Sequence, residues 1–273
     1  MTFNPGGISA LRPGALFSLE GRSVVVTGAA GGIGRWLAGG LGAAGARVLL
    51  TDLDADGLAE VHSVLDDAGI QSEALVADLC DDDAPERIVG ETIARFGALD
   101  VLVNNAAVNR RMPILEMDRD TWEFITGVNL RVPYFLSQAA ARVMSERGGG
   151  AIVNVSSLSA VYALEQISVY APSKAALSNL TRVMALEWAS SGIRANAIAP
   201  GFMDTPLAAP IWEHPDRRRW LLNRVPLQRP GKPDELVAAC QLLASEAGSF
   251  LTGQTIVVDG GFFAGGRWFT PDE

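Results

Sequence analysis

Short runs of β-branched and aliphatic residues recur along the chain, separated by stretches whose apolar positions fall three and four residues apart. The runs are SVVVTG (23–28), ARVLLTD (46–52), SEALVAD (72–78), LDVLVNN (99–105), GAIVNVSS (150–157), IRANAIAP (193–200) and QTIVVDG (254–260). Several are nearly continuous rather than alternating, which is the pattern of parallel strands buried on both faces. Between them the spacing predicts helices near 33–44, 55–68, 83–96, 119–146, 170–190 and 233–246. Strand–helix alternation over most of the chain predicts an α/β fold, a single doubly wound parallel sheet with helices on both faces. No break in composition divides it, so residues 20–273 read as one domain behind an N-terminal extension over 1–19. One segment departs from the rhythm. Residues 203–231 are rich in proline and arginine and too long for an ordinary helix–strand connection. The apolar content of that segment (Ile211, Trp212, Trp220, Leu221, Leu222) predicts a substrate lid rather than a plain surface excursion.

Composition narrows the class. The chain has 273 residues, 48% of them hydrophobic, and its net charge of −9 disfavours a nucleic-acid partner, which would call for a basic face. No apolar run reaches the roughly 18–20 residues of a membrane helix. The first residues, MTFNPGGISALRPGALFSLEG, are interrupted by Pro and Gly and lack the apolar core of a signal peptide. Cys80 and Cys240 stand in no metal or redox spacing, which fits a reducing, cytoplasmic setting. The sequons at Asn154 and Asn179 are then chance matches. No metal is expected, because neither histidine has a second ligand at coordinating distance along the chain. His62 reads as a helix-surface residue and His214 as part of the lid.

The first strand runs into TGAAGGIG, where Gly28, Gly31, Gly32 and Gly34 surround Ile33. Glycines here allow backbone to approach a pyrophosphate, and the following helix offers free N–H donors and a positive dipole end. The spacing is not that of G-x-G-x-x-G. Asp52, at the end of the second strand and eighteen residues past Gly34, adds weight. A carboxylate there accepts hydrogen bonds from an adenosine ribose and repels a 2′-phosphate. With Leu53 rather than a basic residue next to it, the pair favours NAD over NADP.

In SVYAPSKAAL (168–177), Tyr170 and Lys174 sit four apart at the start of a helix whose first turn tolerates Pro172. Residues i and i+4 share a face, so the ammonium can lie by the phenol and favour its ionised form. A phenol moved down from its ordinary pKa near 10 is suited to general acid–base work at cellular pH.

Taken in order, TGAAGGIG, ADL (77–79), NNAA (104–107), VNL (128–130), NVSS (154–157), YAPSK (170–174), APGFMDT (199–205) and TGQTIVVDGG (252–261) resemble the short-chain dehydrogenase/reductase family from about residue 20 to 262. The resemblance implies a Rossmann-like fold and hydride transfer between a secondary alcohol or ketone and NAD. Tyr170 would take the alcohol proton or return it, and Lys174 would also hold the nicotinamide ribose. Ser157, thirteen residues before Tyr170, would orient the substrate oxygen in preference to Ser156, which on a strand would face the other way. Asn129 would position a relay water through Lys174. Asp78 and Leu79 would lie against adenine, and Asn105 and Ala106 by the adenosine ribose, although Ala107 replaces the family's usual glycine. Pro200, Gly201, Met203 and Thr205 would hold the nicotinamide end. A homotetramer is the implied assembly, with the aromatic tail (Phe262, Phe263, Trp268, Phe269) as one expected contact, unless it folds back on its own core.

The substrate is less legible. LFSLEGR (16–22) and the NRR segment resemble relatives acting on sugar acids and polyols, such as gluconate-type dehydrogenases. A guanidinium from Arg110 or Arg111 could pair with a substrate carboxylate, or both could face solvent or a neighbouring subunit. A 3-oxoacyl-thioester or other ketone reductase is the alternative, and a non-catalytic NAD-binding module a more distant one, since the active set is intact.

Overall fold

The computed structural model describes residues 11–265. Its centre is dictated by the strands. Val24, Val25 and Val26 are all fully buried, because successive side chains enter two different cores. Seven strands form the sheet: β1 (Ser23–Thr27), β2 (Arg47–Asp52), β3 (Ser72–Val76), β4 (Val101–Asn104), β5 (Gly150–Val155), β6 (Ile193–Pro200) and β7 (Thr255–Val258). All neighbouring pairs are parallel, in the order β3-β2-β1-β4-β5-β6-β7.

The helices are α1 (Pro13–Leu16), α2 (Gly32–Ala43), α3 (Ala55–Asp67), α4 (Ala84–Phe96), α5 (Arg119–Thr126), α6 (Val132–Glu146), α7 (Tyr170–Trp188), α8 (Ala209–Trp212), α9 (Pro215–Arg224) and α10 (Val237–Ala244). On one face Val24, Val26, Leu50 and Val103 pack with Leu37 and Leu41 of α2, Leu58 of α3 and Leu243 of α10. On the other, Val25, Leu49, Leu102 and Ile152 meet Ile88 of α4, Leu136 and Met144 of α6 and Met184 of α7. Two buried faces explain why the strands read as unbroken apolar runs.

The predicted helix over 119–146 is broken. A π-helical turn at Gly127–Arg131 separates α5 from α6, because the Asn129 amide is tied to the backbone of Val108 rather than left on the helix surface. The predicted helix over 233–246 begins as a 3₁₀ turn, Pro233–Leu236. The fifth strand stops at Val155, so Ser156 and Ser157 lie beyond it. The N-terminal extension is not wholly outside the domain: Leu19 is buried in the first core and its N–H donates to the Ala44 carbonyl at 2.8 Å.

The sheet order reverses between β1 and β4, and open α/β sheets bind ligands in the crevice at such a point, outside the carboxyl ends of the strands. Above it, the 203–231 segment folds into α8 and α9 and seats Ile211, Leu221 and Val225 on a small separate core with Leu158 and Phe262. Phe262 is ringed by Tyr162, Phe202 and Trp220, with centroids 5.0, 5.2 and 6.3 Å away. This aromatic residue therefore folds back on its own chain instead of offering itself to a neighbour. Trp268 and Phe269 lie outside the described residues.

Candidate active site

The glycine turn is locked to the loop after β4. Thr27 Oγ1 accepts from the N–H groups of Asn105 and Ala106 at 3.0 and 3.1 Å, and Asn105 Nδ2 donates to the carbonyls of Thr27 and Gly28 at 2.9 and 3.1 Å. A side chain at Gly28, whose φ is +65°, would start 2.9 Å from Ala106 Cα, and one at Gly34 only 2.0 Å from the Gly28 carbonyl oxygen. Close packing thus excludes Cβ atoms under the turn, while Gly31 and Gly32 have open space above them. That opening, at the N-terminus of α2, is a cradle in which a pyrophosphate can meet backbone donors. Next to it, the Asp52 carboxylate accepts from Ala30 N–H at 3.1 Å through one oxygen, and from Leu53 and Asp54 N–H at 2.7 and 3.2 Å through the other. The carboxylate is fixed in orientation at the edge of the opening. Asp78 is held in the same manner by the Cys80 N–H at 2.8 Å.

These groups line one end of a cavity of about 650 Å³ that runs along the carboxyl edge of the sheet to Tyr170. Every residue predicted to touch a cofactor lines it except Gly34, which lies beneath the turn. Ser157, Tyr170 and Lys174 form its far end, whereas Asn129 is behind the wall and fully buried. The cavity has the volume and the lining groups to admit a dinucleotide.

The chemistry of the far end follows from burial. Lys174 is 1% exposed; its Nζ donates to the Val155 carbonyl at 2.7 Å and stands 5.9 Å from the centre of the Tyr170 ring. Loss of water pushes the ammonium pKa down to about 7. The Tyr170 phenol moves the other way. Burial raises its pKa, outweighing a hydrogen bond with the Ser157 hydroxyl and the positive charge of Arg111, both of which lower it. This corrects the sequence expectation of a phenol lowered by Lys174. The cationic influence on the phenol comes from Arg111, while the lysine is aimed at a carbonyl.

Ser157 caps the 3₁₀ turn Leu158–Ala160, its Oγ accepting from Ser159 N–H at 3.0 Å. The Ser156 hydroxyl is engaged beneath the site, 3.0 Å from the Lys174 carbonyl and in a 2.6 Å hydrogen bond with Ser178 Oγ. The two hydroxyls take different partners although both residues line the cavity, and both lie beyond the strand and not on it. Asn129 accepts from Val108 N–H at 2.9 Å and donates to the Val108 carbonyl and to Ser173 Oγ at 2.9 and 3.2 Å. Both amide hydrogens are engaged, so the side chain joins the loop after β4 to the first turn of α7 and leaves no N–H for a relay water. Ser173 Oγ completes that link by donating to the Tyr170 carbonyl at 2.7 Å.

The two arginines after β4 part company. Arg110 lies over the Phe124 ring at 4.6 Å and donates to Thr121 Oγ1. Arg111 lines the cavity, partly stripped of water, close enough to Tyr170 to influence it electrostatically. Sequence reading did not single out Asn109. Its Oδ1 is buried without a hydrogen-bond partner on the cavity wall, an acceptor suited to a substrate hydroxyl. Its place at the carboxyl end of a central strand was the available signal. His62 is not a free surface residue, since its Nδ1 lies 2.8 Å from Ser72 Oγ. Among the described residues no three His, Cys, Asp or Glu side chains gather as a metal site, and no helix is long and apolar enough to cross a membrane.

Comparison with known proteins adds chemistry to this geometry. A family model described as enoyl-(acyl carrier protein) reductase matches residues 28–263. Gluconate 5-dehydrogenase of Gluconobacter oxydans is 38% identical over 246 residues, covering 90% of this chain and 96% of that protein. Cis-4-hydroxycyclohexanecarboxylate dehydrogenase of Sinomonas cyclohexanicum is 40% identical over 244 residues, covering 89% and 97%. Among solved structures, a gluconate 5-dehydrogenase from Burkholderia cenocepacia in complex with NADP and tartrate superposes with a TM-score of 0.88 at 38% identity, covering 91% of this chain and 98% of that one.

Proposed function

The chain belongs to the short-chain dehydrogenase/reductase family, and on that footing we propose that it interconverts a secondary alcohol and a ketone on a small hydroxy acid, using NAD(H), with Tyr170 as the general acid/base. It is an oxidoreductase related to gluconate 5-dehydrogenases. The observation that carries the finer reading is the convergence of Ser157, Tyr170, Lys174 and Arg111 on one end of a dinucleotide-sized cavity. A bound nicotinamide dinucleotide would supply the hydride acceptor or donor.

The residues divide the remaining work. The Ser157 hydroxyl, fixed by Ser159 N–H, holds the substrate oxygen beside the phenol. In the oxidising direction Tyr170 takes the alcohol proton as the carbonyl forms, and in reduction it returns one. Negative charge on the phenolate is favoured by the positive charge of Arg111 and by the Ser157 hydroxyl. Arg111 also anchors the substrate carboxylate through paired N–H donors, and Asn109 Oδ1 accepts from a neighbouring hydroxyl. Two relatives named for action on hydroxy acids support this substrate class. A neutral acyl thioester would leave Arg111 without a partner.

NAD is favoured by the Asp52 carboxylate, which faces the opening beside the glycine turn and would repel a 2′-phosphate. The NADP in the Burkholderia cenocepacia relative makes cofactor choice a point for measurement. The implied tetramer is supported by exposed apolar side chains on the long helices: Tyr134 and Phe135 on α6, Val183 and Leu186 on α7. The test is a panel of sugar acids, alicyclic hydroxy acids, polyols and 3-oxoacyl thioesters, assayed by nicotinamide absorbance with NAD and NADP in parallel. Turnover of hydroxy acids, with kcat/KM about tenfold or more in favour of NAD, is expected. Turnover confined to thioesters with NADPH would overturn the reading.

A further inference from the structure

The loop after β4 is held at two places. Asn129 takes both backbone groups of Val108, accepting from its N–H and donating to its carbonyl, each at 2.9 Å. Further along, Met112 bridges to Ile167, and its N–H donates to the Gln166 carbonyl at 3.0 Å. Between these ties Arg110 is drawn off to Phe124 and Thr121, whereas Asn109 and Arg111 line the cavity. Asn109 directly follows a clamped residue, so its side chain is presented to the cavity from a fixed backbone.

The amide itself has no partner. Its Oδ1 is buried, and none of the described residues donates to it. The other asparagines among them that are not exposed, Asn104, Asn105, Asn129, Asn154 and Asn196, all donate through the amide nitrogen to a protein acceptor. Asn109 makes no side-chain hydrogen bond at all. A buried acceptor without a donor forfeits its bonds to water, so proteins leave few of them. An asparagine kept for structure would be tied in as the others are. This one is held ready at the cavity wall, on the same short loop as Arg111.

We propose that Asn109 is a specificity-determining residue that selects vicinal diols: its Oδ1 accepts from a hydroxyl on the carbon next to the one oxidised, on the side of the carboxylate. This rests on the proposed hydroxy-acid substrate and deepens it, from any small hydroxy acid to one bearing two adjacent hydroxyls. The reacting oxygen is met by Ser157 and Tyr170 and the carboxylate by Arg111, so the second hydroxyl falls to the amide. An acid with a lone hydroxyl covers Oδ1 with hydrocarbon and leaves it unpaired. A site built to pair a hydroxyl rejects the analogue lacking it much more strongly than an apolar pocket does.

The test uses the full chain saturated with NAD. The probes are 4-hydroxycyclohexanecarboxylate and 3,4-dihydroxycyclohexanecarboxylate, a pair differing by one hydroxyl, with D-gluconate as an open-chain polyhydroxy acid. Asn109→Leu keeps the branched shape and removes the hydrogen bonding, and Asn109→Ala repeats the removal with a smaller side chain. Wild-type kcat/KM is expected to favour the dihydroxy acid by at least about tenfold. Asn109→Leu and Asn109→Ala should lower kcat/KM about tenfold for the dihydroxy acid and for gluconate. The same variants should raise it severalfold for the monohydroxy acid, because the unpaired acceptor is gone. That reversal is a readout that a merely structural role would not produce. Equal loss on all three acids would overturn the proposal, as would a variant rate on gluconate within about threefold of wild type. A wild type that prefers the monohydroxy acid would overturn it and leave the hydroxy-acid reading standing. Turnover of none of the three acids would overturn both.

Discussion

Lys174→Met isolates the electrostatic design of the site. The wild-type ammonium is sealed from water, donates to the Val155 carbonyl at 2.7 Å and has a pKa pushed down from 10.5 to about 7. In the unfolded chain the same group titrates near its ordinary value. Between these two values the unfolded state holds more protons than the folded state, so this residue makes stability rise with pH. Its slope approaches about 1.4 kcal/mol per pH unit in the middle of the window and vanishes below about pH 6, where both states are protonated. Over pH 6 to 9 the wild type should gain on the order of 2 to 3 kcal/mol relative to Lys174→Met, which has no such proton to lose. Urea unfolding midpoints at pH 6, 7, 8 and 9, with the slope of each transition checked for constancy, measure the difference. Parallel pH profiles for the two proteins would mean that Nζ is solvated and titrates normally, and the buried cation invoked beside the phenol would have to be abandoned.

Asp52→Ala removes an acceptor shared by three backbone N–H groups; kcat/KM with NAD should fall about tenfold and that with NADP should rise, and an unchanged ratio would take Asp52 out of the cofactor site. Gly34→Ala places a methyl 2.0 Å from the Gly28 carbonyl oxygen, so the turn must open. The expected cost of about 1–3 kcal/mol lowers Tm by several degrees and abolishes saturable NADH fluorescence enhancement; intact binding would show the turn to be slack. Asn129→Ala frees the loop at Val108 from α7, and turnover should drop about tenfold with little change in KM, because the variant disturbs the placement of Tyr170 rather than substrate contact.

The sheet was legible because two apolar cores meet on it, leaving β1, β2, β4 and β5 with no polar face to disguise them. Helix ends fell within a few residues, but the break at Gly127–Arg131 was hidden. Apolar spacing continues through it, and its cause, the bonding of Asn129 to Val108, joins residues twenty-one apart. In the site, the helical spacing of Tyr170 and Lys174 put both on one face, and order along the chain put the glycine turn and Asp52 together. What spacing cannot carry is the direction of a buried side chain. Lys174 turns to a carbonyl contributed by β5, and the phenol is governed by burial and by Arg111 from another loop. Asn109 acquires meaning only when the loop after β4 is folded onto the cavity wall.

The assignment of proton transfer to Tyr170 is settled by comparing Tyr170→Phe with wild type on a hydroxy acid that the panel identifies, measuring turnover by NADH absorbance and dinucleotide affinity by NADH fluorescence. Turnover should fall at least about a hundredfold while NADH affinity stays within about threefold, since the ring remains and only the exchangeable proton is gone. A variant that turns over at the wild-type rate would show that another group handles the proton.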